Sequence, residues 1–117
     1  CPGRVAEDEE GVEHGLNRAA LHPLREGTYE AVEALLGELA AIFPEEYVHL
    51  GGDEVDGDCW LSDREITQWK ATWERRAGRY QAGWKERLHG VFTQRVVQIA
   101  RRLGKRVMLW DDAMESL

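Results

Sequence analysis

Basic residues are in short supply in this chain. Fifteen Lys and Arg stand against 22 Asp and Glu, giving a formal net charge of −7 over 117 residues. That balance argues against a nucleic-acid partner, because phosphate binding needs a positive surface. Cysteine is scarce as well: Cys1 and Cys59 are the only two. With no C-x-x-C, so few cysteines make neither a disulfide framework nor a zinc site, and by themselves they read as two unrelated thiols. No apolar run reaches the ~20 residues of a membrane-spanning helix. The opening Cys1-Pro2-Gly3-Arg4 has neither an initiator Met nor the apolar stretch of a signal peptide. The chain is therefore expected to be a piece of something longer. G-x-S-x-G, the P-loop, H-E-x-x-H and G-x-G-x-x-G are all missing. What is present is an ordinary globular balance, 43% hydrophobic and 32% charged, with five tryptophans. The length suits one domain at most.

Residues 1 to about 27 read as an irregular loop, broken by Pro2, Gly3, Gly11, Gly15 and Pro23 and carrying the acidic run Glu7-Asp8-Glu9-Glu10. Thr28 is placed to cap a helix that ends at Pro44. Its apolar positions, from Ala31 and Val32 through Leu35, Leu36 and Leu39 to Ile42 and Phe43, have three-and-four spacing. Tyr47-Val48-His49-Leu50 then reads as a short strand ended by Gly51-Gly52. Ser62-Asp63-Arg64-Glu65 fits a capping box and predicts a second helix from about Asp63, with Ile66, Trp69 and Trp73 inward. Gly78 and Gly83 mark a break. A third helix is predicted from Trp84 to Leu103, closed by Gly104, and a second strand over Arg106–Trp110. Helix, strand, helix, helix, strand is the alternation of a parallel α/β fold.

Both predicted strands run into acidic pairs, Asp53-Glu54 and Asp111-Asp112. Acidic residues after glycines are often just solvated turns. Against that, these pairs sit at the carboxyl ends of strands, where parallel α/β folds carry their active sites. The glycines let a ligand approach the backbone closely. Neighbouring carboxylates also disfavour each other's charge, so one such group can keep a proton while the other stays ionised, as glycosidic cleavage requires. A metal reading fits less well. Asp53, Glu54, Asp56 and Asp58 are dense in oxygen, but neither EF-hand register, from Asp53 or from Asp56, has its acids in the right places. No metal and no cofactor is expected.

His49-Leu50-Gly51-Gly52-Asp53-Glu54-Val55, followed by Cys59-Trp60, resembles the signature of glycoside hydrolase family 20, the β-N-acetylhexosaminidases. The flanks are similar to the family too: Leu21-His22-Pro23, Thr28-Tyr29-Glu30 and Ile42-Phe43-Pro44 upstream, Phe92 to Val96, Gly104-Lys105-Arg106 and Leu109-Trp110-Asp111 downstream. The resemblance covers most of the chain from about Leu21.

It implies a (β/α)₈ TIM barrel, of which this chain would be roughly half, since such a barrel takes ~250 residues. It implies hydrolysis of terminal N-acetylglucosamine or N-acetylgalactosamine from glycans or chitin oligosaccharides. The mechanism would be retaining and substrate-assisted, through an oxazolinium intermediate. Glu54 would be the general acid, and Asp53 would hold the acetamido group. Substrate contacts would come from Trp110, as a wall of the N-acetyl pocket, from His49 and from Asp111. At His49 a packed strand histidine is an equal alternative. The family shows Trp-Asp-Glu where this chain has Trp110-Asp111-Asp112, so the third position is one methylene short. Trp60 and Trp69 read as packing residues. The resemblance also suggests a Cys1–Cys59 disulfide in an exported protein, an extracytoplasmic location, and a need for the rest of the barrel. The competing expectation is a non-catalytic carbohydrate-binding or structural α/β segment.

Overall fold

A computed structural model describes residues 20–53, 55, 57–77 and 83–115. Its elements are α1 (Glu26–Ile42), β1 (Tyr47–His49), a 3-10 turn (Asp58–Ser62), α2 (Arg64–Ala77), α3 (Trp84–Arg102), β2 (Arg106–Met108) and α4 (Asp111–Glu115). The chain divides into two compact units. One comprises residues 1–22 and 55–84, the other residues 23–54 and 85–117.

The larger unit holds α1, most of α3 and the two strands. Helix α1 starts two residues before Thr28. Its first position outside the helix is Arg25, whose carbonyl accepts the Thr28 N–H at 3.1 Å, so Thr28 lies in the first turn and is not the cap. Pro44 stops the helix as predicted. The buried face differs from the expected one. Tyr29 is the buried residue of α1, packed with Val96 and Ile99 of α3, and Val32, Leu36, Leu50, Phe92 and Leu103 surround them. Leu35, Ile42 and Phe43 are exposed. Phe43 also borders a hollow of about 330 Å³ that lies between the end of α1, β1 and the end of α3, among residues including Leu36, Leu39, Tyr47, Ala100 and Leu103.

Polar groups fix the α1–α3 contact. The Tyr29 hydroxyl donates to the Pro23 carbonyl. Arg95 lies over the Tyr29 ring at 3.6 Å and forks onto Glu26 at 2.7 and 2.6 Å. The Arg95 fork holds the Glu26 carboxyl below its usual range, and burial raises the Tyr29 phenol. Helix α3 ends as its sequence predicts. Gly104 takes φ +77, its N–H reaches the Arg101 carbonyl, and the Lys105 N–H reaches Ala100, the paired bonds of a Schellman ending. The Lys105 ammonium then donates to the carbonyls of Phe43 and Glu45, both at 2.8 Å. One lysine thus ties the exit of α1 to the start of β2.

β1 and β2 pair in parallel, with Tyr47 opposite Arg106, Val48 opposite Val107 and His49 opposite Met108. The mixed α/β reading with a parallel pair is therefore met. The second strand ends at Met108, short of the expected Trp110, because the chain turns into α4 at Asp111.

The smaller unit centres on Trp60 and Ile66, 2% and 1% exposed. Trp60 donates its indole N–H to the Leu21 carbonyl at 3.2 Å, which supports its packing role. Asp63, not Ser62, caps α2: its Oδ1 accepts the N–H groups of Glu65 and Ile66 at 2.8 and 3.1 Å. Ser62 instead donates to the Cys59 carbonyl and closes the 3-10 turn. Trp69 and Trp73 stack one turn apart, 6.3 Å between centroids.

Candidate active site

The two strands bring their carboxyl ends side by side and stay paired beyond the ladder. Leu50 N–H donates to the Met108 carbonyl at 3.0 Å, and Trp110 N–H donates to the Gly51 carbonyl at 3.2 Å. Residues 58 and 59 positions apart in the chain thereby become neighbours at one sheet end. The chain then leaves β1 through two glycines with positive φ, Gly51 at +67 and Gly52 at +98. An L side chain is strained in that region, so the sequence needs glycine to make the turn.

His49 closes the turn from within. Its Nδ1 accepts the Gly51 N–H at 3.0 Å, which leaves the proton of the neutral ring on Nε2. Its ring lies 4.6 Å from the Trp110 ring at 55°, a tilted pair. Trp110 is 54% exposed, so its indole is available at the strand end. Asp53 is exposed, and Asp111 opens α4, also exposed. Helix α4 follows directly, the N–H groups of Ala113 and Met114 returning to the Trp110 carbonyl. His49, Asp53, Trp110 and Asp111 are thus carried by two adjacent strand ends of one unit. Glu54 lies outside the described residues.

Gly52 is enclosed on the inner side. A Cβ there would lie 2.6 Å from the Ala113 Cβ and 3.8 Å from His89 Nε2. His89, on α3, carries no signal in the sequence, because it sits beside the apolar stripe and matches no local motif.

The smaller unit carries the remaining features. Cys59 is disulfide-bonded, and Cys1, its expected partner, lies outside the described residues. His22, Asp63 and Glu65 bring one donor atom each within 4.8 Å. His22 Nε2 stands 3.2 Å from Asp63 Oδ1 and 3.7 Å from Glu65 Oε2. Three such donors could meet a cation, but Asp63 Oδ1 is already engaged by two backbone N–H groups at the start of α2. The cluster reads as a capping network. The backbone N–H of Ile66, then His22, hold the Asp63 carboxyl below the usual aspartate range.

The model for the catalytic domain of glycosyl hydrolase family 20 matches residues 3–117. The chain belongs to this family. Among its relatives, β-hexosaminidase subunit beta of Sus scrofa is 32% identical over 96 residues, covering 82% of this chain and 17% of that protein. β-Hexosaminidase subunit alpha of Bos taurus is 29% identical over 99 residues, and β-hexosaminidase 1 of Arabidopsis thaliana is 36% identical over 52. The chain spans about a sixth of the length of the mammalian relatives, 17% of each of these two. Within the matched stretch, His49 to Asp53 form the turn just described. Among the described residues no helix is long and apolar enough to cross a membrane.

Proposed function

We propose that this segment supplies the acid and the acetamide-holding carboxylate of a β-N-acetylhexosaminidase. The full-length protein would remove terminal β-linked N-acetylglucosamine or N-acetylgalactosamine from glycans or chitin oligosaccharides. The observation that carries this reading is the pairing of Trp110 N–H with the Gly51 carbonyl. It sets an exposed indole and an exposed carboxylate, Asp53, on neighbouring strand ends, as a sugar ring with a 2-acetamido arm requires.

In the proposed reaction Glu54 donates its proton to the glycosidic oxygen as the bond to the anomeric carbon breaks. The acetamido oxygen of the substrate attacks that carbon and closes an oxazolinium ring. Asp53 stays ionised, accepts the acetamido N–H and opposes the positive charge that develops on the ring. The Glu54 carboxylate then takes a proton from water, which opens the oxazolinium with overall retention. Trp110 walls the N-acetyl group, and His49 orients that wall and the glycine turn together. Asp111 contributes a further polar contact to the sugar.

The fold we propose for the parent protein is a (β/α)₈ barrel, of which this chain forms a part and which the rest of the chain completes. The open apolar side of α1 and the two-stranded sheet support that reading. The segment alone would be inactive. The disulfide at Cys59 is proposed to join Cys1 and so to suit an extracytoplasmic protein.

The test is Glu54→Gln in the full-length protein, assayed with a chromogenic β-N-acetylglucosaminide. Hydrolysis should fall at least about a hundredfold while sugar binding persists, since general acid catalysis is worth roughly 10²–10⁴. Unchanged turnover would remove Glu54 from the role.

A further inference from the structure

One imidazole is built into the inner side of the signature turn and has no part in the proposed reaction. His89 is half-buried on α3, between Leu88 and Gly90, which are both buried. Its Nε2 reaches to 3.8 Å from the point where a Gly52 Cβ would stand, and the Ala113 Cβ closes the same point from α4 at 2.6 Å. Three elements therefore meet at Gly52: the β1 turn, α3 and α4. The residues next in sequence on two of them are the acidic pairs, Asp53-Glu54 after Gly52 and Asp111-Asp112 before Ala113.

A histidine is a poor choice for filling space at such a junction. A leucine would bury as much apolar surface without two ring nitrogens that need partners. An imidazole is suited to a place where carboxylates and bent backbone must be held in one arrangement, because it can donate from one edge and accept at the other. The glycine contributes the complementary feature: only a residue without Cβ lets α4 come so near the turn, and the His89 ring stands at ordinary contact distance from the same point.

We propose that His89 is a positioning residue for the acid loop: its ring, set against Gly52, fixes the direction in which the chain runs on to Asp53 and Glu54. This rests on the reading of Glu54 as the general acid. His89 does not touch the sugar in this proposal. It acts through the loop, and its effect is on the delivery of the proton.

That assignment has a readout that a folding role would not move. Protonation matters most when the leaving group is a poor one, and least when it is a stabilised anion such as dinitrophenolate. The full-length protein and its His89→Leu and His89→Gln variants are assayed for kcat on two β-N-acetylglucosaminides, one with a dinitrophenyl and one with a phenyl leaving group. For His89→Leu the kcat loss should be about tenfold greater on the phenyl glycoside, and His89→Gln, which retains a hydrogen-bonding edge, should recover most of that difference. The ratio of the two losses does not depend on how much of a variant is folded. Equal losses on both substrates, or no recovery by glutamine, overturn the positioning role while the enzymatic reading stands. If the parent protein hydrolyses neither glycoside, that reading fails and the role of His89 falls with it. Should the leucine variant not fold at all, the ratio is read on His89→Gln against His89→Ala: a greater phenyl loss for alanine supports the proposal, and equal losses overturn it.

Discussion

Gly52 and Ala113 touch so closely that no side chain fits between them: a Cβ on Gly52 would come within 2.6 Å of the Ala113 Cβ. The turn at the end of β1 and the first residues of α4 are therefore one packed unit, although 61 positions separate them.

Substituting Gly52→Ala should then damage the site in two separable ways. One is the strained φ of +98, costing on the order of 1–2 kcal/mol for a residue with Cβ. The other is the clash with Ala113. Displacing a reacting group by an ångström costs roughly a hundredfold, so kcat of the full-length protein should fall by about that much. Adding Ala113→Gly removes the clash alone and should restore part of the loss. Kinetics of the two variants against the parent check this, and full recovery in the double variant would show that backbone strain plays no part.

His49 offers a second contrast. Its Nδ1 holds the Gly51 N–H, and its ring faces Trp110. His49→Phe keeps a ring beside Trp110 but removes the acceptor, whereas His49→Asn keeps an acceptor at similar reach and removes the ring. If the glycine turn matters more than the ring pair, asparagine should retain about tenfold more kcat than phenylalanine. The reverse order would assign His49 to supporting the Trp110 wall, and the KM for N-acetylhexosaminides would then carry the larger change.

Asp63 makes a prediction in pH. Its carboxylate caps α2, and its pKa lies below the ordinary aspartate value of about 3.9. A depressed folded value means the charged cap stabilises the fold at pH above that ordinary value. This contribution fades as the pH falls through the lower, folded value. Amide exchange at Glu65 and Ile66 should therefore be slow at pH 5–7 and quicken as the pH is lowered past about 3.9, after correction for intrinsic exchange. Asp63→Ala should cost about 1 kcal/mol of local protection at neutral pH. Asp63→Asn, also a good cap, should cost less and flatten the pH dependence. An α2 start whose protection ignores both changes would contradict the capping assignment.

Much of this was written locally in the chain. Pro44 ends α1, Gly104 ends α3, and the β-branched and aromatic run before Gly51-Gly52 marks β1, because each of these signals acts through its own backbone. The errors lie where a partner decides. The apolar stripe of α1 is wide, and α3 selects its Tyr29–Val32–Leu36 edge, leaving Leu35, Ile42 and Phe43 outside. Ser62 and Asp63 are both good caps, and His22 helps favour the second by its position beside that carboxylate. Helix α4 has five residues, too few for a helical period to show. At the candidate site, the signature draws attention to His49 and Asp53, and the downstream Leu109-Trp110-Asp111 draws it to Trp110. Nothing draws it to His89, since only the fold brings α3 beneath the turn.

The parallel pairing of β1 with β2 also governs when the site can exist. Tyr47 meets Arg106 only after the whole stretch from residue 48 to 105 has been closed into a loop. Such non-local pairing forms late, since the entropy of closure is lost before the contacts reward it. The α1–α3 core around Tyr29, Val96 and Ile99 brings the same chain ends together through helices that can form on their own, and it is the natural precursor. During folding the Gly51-Gly52 turn and Trp110 are therefore strangers until the strands pair, and a chain stalled before that step holds its helices without the joined strand ends.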